Sequence, residues 1–275
     1  MGGFEVLLAS DFTARSDRPL DRAAQIAEQR CGSLVIVHVL EKSTDAPEDH
    51  VVERLRADLP DALKDAELVV RPGSAPKELA ALAAERGSDL IVTGVARYNS
   101  LGDYFLGTAV DNIIRSARQP VLIVRRRPTA PYDRLLVATD LSDCSRDALL
   151  AAASMFPHAA ITLVHAFHVP YEGWLKSDDV KADFQAEAEE GVEAFLAGLE
   201  PAVRARLDAR LIEGEIGAVV VNALSETHAD LLVLGTHGRS GFSHATMGSH
   251  AESLLGLVNV DVLIVREQEV IEDAG

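Results

Sequence analysis

Gly235, Gly238 and Gly248, with Ser249 directly after the last, form the pattern G-x2-G-x9-G-S. It follows the apolar run Asp230–Leu234 and precedes Ala251–Leu255, so it reads as a turn between a buried strand and a helix. Phosphate is well placed at such a turn. Backbone N–H groups point at the anion, and the helix dipole favours negative charge. Glycine lets phosphate approach the main chain with no side chain in the way. Ser249 opens the helix, where a hydroxyl caps it or donates to phosphate. Arg239 adds a cation to a site that must hold anions in a chain of net charge −17. No G-x4-G-K-[ST] occurs, and no evident base stands ready to orient water, so fast hydrolysis is not expected.

The same frame occurs earlier in altered form. Asp89–Gly94 leads to Arg97, where the second glycine would stand, and then to Gly107 and Thr108 at the same spacing. Arg97 adds bulk where phosphate would approach, and Asp103 adds negative charge. The chain is therefore a diverged repeat. Leu7–Thr13 reappears as Leu136–Ser142, Leu34–Val39 as Ile161–Ala166, and Val121–Arg125 as Val262–Arg266. The boundary falls in the proline-containing stretch Arg126–Tyr132, giving domains 1–128 and 129–275.

Each half alternates strands with helices. In the first, strands are expected at Glu5–Ser10, Leu34–Leu40, Glu67–Arg71, Leu90–Thr93 and Val121–Val124, and helices at Pro19–Arg30, Pro76–Arg86 and Ala109–Ser116. The strands are apolar without strict alternation, as strands covered on both faces are. Right-handed crossovers and a parallel sheet follow, so the fold class is α/β, open and doubly wound. In such folds ligands bind beyond the carboxyl ends of the strands, where the strand order reverses. The second half has a longer second helix, about Val180–Leu199, with Phe184, Ala188, Val192 and Phe195 on one side and Asp183, Glu187, Glu189, Glu190 and Glu193 on the other.

Taken together, the glycine loop, the Asp after the first strand (Asp140), the strand ending His165-Ala166, and the glycine after the third strand (Gly73, Gly214) resemble the universal stress protein family in its tandem form. The resemblance spans nearly the whole chain. It implies two flavodoxin-like domains, of the adenine nucleotide α-hydrolase-like kind, each with a five-stranded parallel sheet of order 3-2-1-4-5, related by pseudo-twofold symmetry. It implies ATP as ligand of the second domain. Ala138, Thr139, Asp140 and Ala166 would lie at the adenine and ribose end, Leu234 and Gly235 by the ribose, and His237, Gly238, Arg239, Gly248 and Ser249 along the loop and phosphates. Asp11, Val39, Gly94, Arg97, Gly107 and Thr108 mark a weaker or empty counterpart in the first domain. Family members commonly dimerise through their last strands. An intramolecular pseudo-dimer through Val121–Val124 and Val262–Val265 is therefore expected, with a further homodimer left open.

The remaining residues narrow the function. His237, His244 and His250 have no zinc-site spacing, so if a metal takes part it is Mg²⁺ or Mn²⁺ accompanying the phosphates of ATP. Cys31 and Cys144 stand far apart and form no CxxC, as in a reduced cytoplasmic protein. The run Arg125–Arg127 reads as a solvated linker in an acidic chain, and nucleic acid is not an expected partner. No basic-then-apolar leader opens the chain, and no apolar run approaches the ~20 residues of a membrane span, so no membrane partner is expected. Three readings compete: a nucleotide-binding stress or signalling module, a non-nucleotide scaffold or chaperone-like protein, and a slow ATPase. The intact second motif favours the first, and the absence of a convincing nucleophile–base pair disfavours the third.

Overall fold

The computed structural model describes residues 3–13, 16–40, 48–95, 97–98, 104–105, 108–168, 178–236 and 248–266. It divides into two compact units, Met1–Pro131 with Asn259–Ile264, and Tyr132–Val258 with Val265–Gly275.

The first unit runs β1 (Glu5–Ala9), α1 (Asp17–Gln29), β2 (Ser33–Leu40), α2 (Glu48–Ala57), β3 (Glu67–Pro72), α3 (Ala75–Arg86), β4 (Leu90–Gly94), β5 (Arg97–Tyr98), β6 (Tyr104–Phe105), α4 (Thr108–Ser116) and β7 (Val121–Val124). The large strands order as β3-β2-β1-β4-β7, all parallel, which is the expected 3-2-1-4-5. The central strands are buried on both faces: Val6, Leu7 and Leu8 of β1 and Leu90, Ile91 and Val92 of β4 are inaccessible to solvent. Helices on both faces remove that surface from water, the main favourable contribution to folding. One feature was not expected. Between Gly94 and Gly107 the chain makes a small antiparallel ribbon, Arg97 facing Phe105 and Tyr98 facing Tyr104.

The second unit runs β8 (Arg134–Thr139), α5 (Asp143–Met155), β9 (Ala160–Phe167), α6 (Asp178–Ala197), α7 (Pro201–Arg204), β10 (Leu207–Glu213), α8 (Ile216–Thr227), β11 (Leu231–Gly235) and α9 (Ser249–Leu257), before β12 (Asp261–Val265). Its strands β10-β9-β8-β11 are parallel and repeat the third-second-first-fourth order. The order reverses between β8 and β11, so the crevice lies above their carboxyl ends. Along α6 Asp183, Glu187, Glu189, Glu190 and Glu193 are exposed and Phe195 is buried, the amphipathic pattern expected of a covering helix.

The last strand, β12, packs almost wholly with the first unit. It pairs antiparallel with β7: Ile123 faces Val262, Leu122 faces Leu263 and Val121 faces Ile264. Asp261, 1 % exposed, accepts the backbone N–H groups of Arg125 at 2.7 Å and Arg126 at 3.0 Å. The arginine run is therefore solvated only in part, with Arg126 and Arg127 exposed and Arg125 not. Arg125 is buried, its carbonyl accepts from Arg18, Arg126 donates to the carbonyl and side chain of Asn259, and Arg127 lies near Asp17 and Asp21. Among the described residues no helix is long and apolar enough to cross a membrane.

Candidate functional site

A cavity of about 530 Å³ opens at the strand-order reversal of the second unit. Ala138, Thr139 and Asp140 leave β8 into it, His165 and Ala166 come from the end of β9, and Leu234, Gly235 and Thr236 from the end of β11. Gly214, Glu215 and Ile216 close it from β10 and α8, and Gly248, Ser249 and His250 from the start of α9. Its size suits a small organic ligand, for which pockets of ~300–1,000 Å³ are usual. The structure thus gathers Ala138, Thr139, Asp140, Ala166, Leu234, Gly235, Gly248 and Ser249 in one place. His237, Gly238 and Arg239 lie outside the described residues.

The turn after β8 is built from short hydrogen bonds. The Asp140 carboxylate accepts from the Ser142 N–H at 3.1 Å and the Ser142 hydroxyl at 2.5 Å. Ser142 is the N-cap of α5, its hydroxyl oxygen accepting from the Ser145 N–H at 3.2 Å. Asp140 is thus not the cap but the group that orients it. Leu141 between them has φ +64°, a left-handed conformation costly for a branched side chain. The surroundings hold it there: its N–H donates to the Thr139 hydroxyl at 2.9 Å, and Nδ1 of His165 bonds the Thr139 carbonyl at 2.8 Å. A carbonyl only accepts, so Nδ1 of His165 carries the proton. The sequence marked His165 only as a landmark; the structure makes it the clamp of the turn.

Glycine does two different jobs here. A Cβ on Gly235 would stand 2.9 Å from Cys144 Sγ and 3.2 Å from the Cys144 carbonyl carbon and oxygen. Gly235 therefore lets α5 approach β11, a packing role that phosphate contact does not explain. Gly248 donates its N–H to the Thr236 carbonyl at 2.8 Å, and a Cβ there would meet that oxygen at 3.2 Å. The N-cap of α9 is Gly248, which offers no side chain to the first N–H groups, and Gly248 and Ser249 line the cavity. The start of α8 differs: Glu215 caps it, accepting from the Ala218 N–H at 3.0 Å. The Gly217 and Ala218 N–H groups hold the Glu215 carboxyl below its ordinary value. Sequence spacing gave no sign of Glu215, because a capping glutamate carries no motif. Cys144 is 2 % exposed, with Sγ 3.7 Å from the Val265 carbonyl.

The first unit repeats the turn. Asp11 accepts from the Thr13 N–H and hydroxyl at 3.0 and 2.8 Å and from the Ser16 hydroxyl at 2.6 Å. Burial raises the Asp11 carboxyl, and these bonds outweigh it and hold the group below its ordinary value. Phe12 has φ +53° and meets the His38 ring edge-on at 5.5 Å, while Nδ1 of His38 bonds the Ser10 carbonyl at 2.9 Å. Val39 faces Arg71 on β3, and Gly94 ends β4 facing Val124. Arg97 lies in the ribbon, Thr108 starts α4, and Gly107 is outside the described residues. A cavity of about 260 Å³ on this unit lies beside the turn, lined by Ser10, Phe12 and Thr13, by α1 and by the segment Asp58–Pro60. Among the described residues no group of three or more His, Cys, Asp or Glu is placed to hold a metal ion.

Comparison with known proteins agrees with this architecture. The family model for the universal stress protein family matches twice, over residues 5–125 and 131–266. A universal stress protein of Mycolicibacterium smegmatis is 23 % identical over 96 % of this chain and 97 % of its own. A universal stress protein of Methanocaldococcus jannaschii is 26 % identical over 50 % of this chain and 83 % of its own. Among solved structures, a protein of unknown function from Pseudomonas aeruginosa PAO1 superposes with a TM-score of 0.69 at 18 % identity, over 96 % of this chain and 92 % of that one. With the family pattern matched in both halves and the fold shared end to end, the chain belongs to the universal stress protein family.

Proposed function

We propose that the second unit binds one adenine nucleotide, ATP, as a regulatory ligand in a stress or signalling response, and that the first unit binds none. One observation carries this reading: the cavity above β8 and β11 runs from an apolar floor at Ala138, Ala166 and Leu234 to the uncapped start of α9 at Gly248 and Ser249. An apolar floor suits a purine, the carboxylates of Asp140 and Glu215 suit the hydroxyls of a sugar, and a helix start with free N–H groups suits phosphate. Arg239, and Mg²⁺ or Mn²⁺ arriving with the nucleotide, would neutralise the outer phosphates. In the first unit the stretch between Gly94 and Gly107 contains a β ribbon, which engages backbone N–H groups that a phosphate would need. The chain acts as a binding module with slow turnover or none, since phosphoryl transfer needs a positioned nucleophile as well as charge neutralisation.

Calorimetric titration with ATP tests the reading. A stoichiometry near one per chain is expected, and a value near two would sink the asymmetry between the units. Gly248→Val should weaken binding by about tenfold, ~1.4 kcal/mol, with the second unit still folded. Saturation with ATP should stabilise that unit by about 2.7 kcal/mol at ~100 times the dissociation constant, and a non-hydrolysable analogue should do the same.

A further inference from the structure

The outer edge of β7 is completed by a strand that is nearly its own duplicate. Val121–Arg125 and Val262–Arg266 are repeat equivalents, and Leu122 faces Leu263, its own counterpart. Either strand could therefore pair antiparallel with the same strand of a second copy in the same register. Apolar contact does not discriminate among these pairings.

Charge does. Asp261 Oδ2 lies 3.6 Å from Nε of Arg22 on α1, and Arg22 is only 5 % exposed. Arg22 is the sixth residue of α1; the sixth residue of α5 is Ala148. Asp261 stands immediately before Val262; the residue before Val121 is Pro120. The buried cation thus belongs to the first repeat alone, and the buried anion to the second alone. Pairing β7 with the β7 of another copy would bury two guanidinium groups and supply no carboxylate. Pairing β12 with another β12 would bury two carboxylates and supply no guanidinium. Burying a charge without its partner is strongly unfavourable, whereas the mixed pairing compensates both.

We propose that Arg22 and Asp261 make the β7 edge selective for a strand that opens with a carboxylate, so that the chain closes on its own last strand and excludes a second copy. Light scattering on the full chain across a concentration series tests this. Pro120→Asp leaves Arg22 and Asp261 in place and gives the β7 of one copy a complementary β7 in another. It should self-associate about a hundredfold more tightly than the unmodified chain. Pro120→Ala, which removes the ring without adding the carboxylate, should remain at the unmodified level. Asp261→Ala removes the discrimination from the other side and should also raise self-association. Should one of the two charge variants fail to fold, the other decides. The proposal is overturned if the folded charge variants associate no more than the unmodified chain, or if Pro120→Ala gains as much as Pro120→Asp.

Discussion

The two strand-order reversals of this molecule share a floor and differ at the rim. Both carry an aspartate held by hydroxyls, Asp11 and Asp140, then a left-handed residue, Phe12 and Leu141, and a histidine on the preceding carbonyl, His38 and His165. Both place a positive-φ glycine after the third strand, Gly73 and Gly214, whose N–H bonds the end of the second strand. The rims diverge. In the second unit the chain returns to Gly248 and starts α9 with no side-chain cap, whereas in the first a β ribbon intervenes before α4. The shared floor is what the fold requires to turn the chain at the top of its first strand. The segment that differs is where the proposed function puts the phosphates. The comparison separates the turn that both units build alike from the segment after the fourth strand, which they build differently.

Four substitutions probe that separation, in falling order of effect. Gly235→Val should be the most damaging, because its Cβ collides with Cys144 backbone as well as Sγ and α5 must move. A loss of about 1–3 kcal/mol is expected, confined to the second unit's melting transition. A variant as stable as the parent would show that Gly235 serves a ligand only. Next, Ser142→Ala removes the α5 cap that Asp140 orients, costing about 1 kcal/mol in chemical denaturation. Asp140→Ala should cost a part of the same energy through the same cap, so the two losses should not add. The smallest effect is acidic. The Asp11 carboxyl is held below its ordinary value in the folded chain, so it adds stability above the unfolded value that is lost as pH falls through the folded one. Asp11→Asn should flatten that acid limb for the first unit. The change should stay below about 1 kcal/mol, because the group is exposed and solvent screens it. An unchanged acid limb would assign the pH dependence to other carboxylates.

Much of this was legible in the sequence, for identifiable reasons. Long apolar strands such as Leu90–Gly94 and Leu231–Gly235 announce a doubly wound sheet because burial on both faces leaves no alternation. Asp140, Ala166, Gly248 and Ser249 were named together through the family resemblance, and the ends of the strands that carry or precede them do line one cavity. Three features were not legible. The ribbon at Arg97–Tyr98 and Tyr104–Phe105 is too short for periodicity to register. Glu215 enters the cavity as a helix cap, a role many residue types fill. Charged Arg125 reads as exposed, yet it is buried where Asp261, from the far end of the sequence, accepts its backbone N–H.

That last contact bears on how the chain can be cut. Proteases nick exposed, loosely held segments, and the junction between repeats of a tandem protein is ordinarily such a place. Here residues 125–130 are tied by Arg18 to the Arg125 carbonyl, by Arg22 to the Ala130 carbonyl, by Asp261 to two N–H groups, and by Asn259 to the Arg126 side chain. Limited digestion should therefore spare this junction. A shortened chain ending before Asn259 would leave the first unit without the strand that pairs with β7.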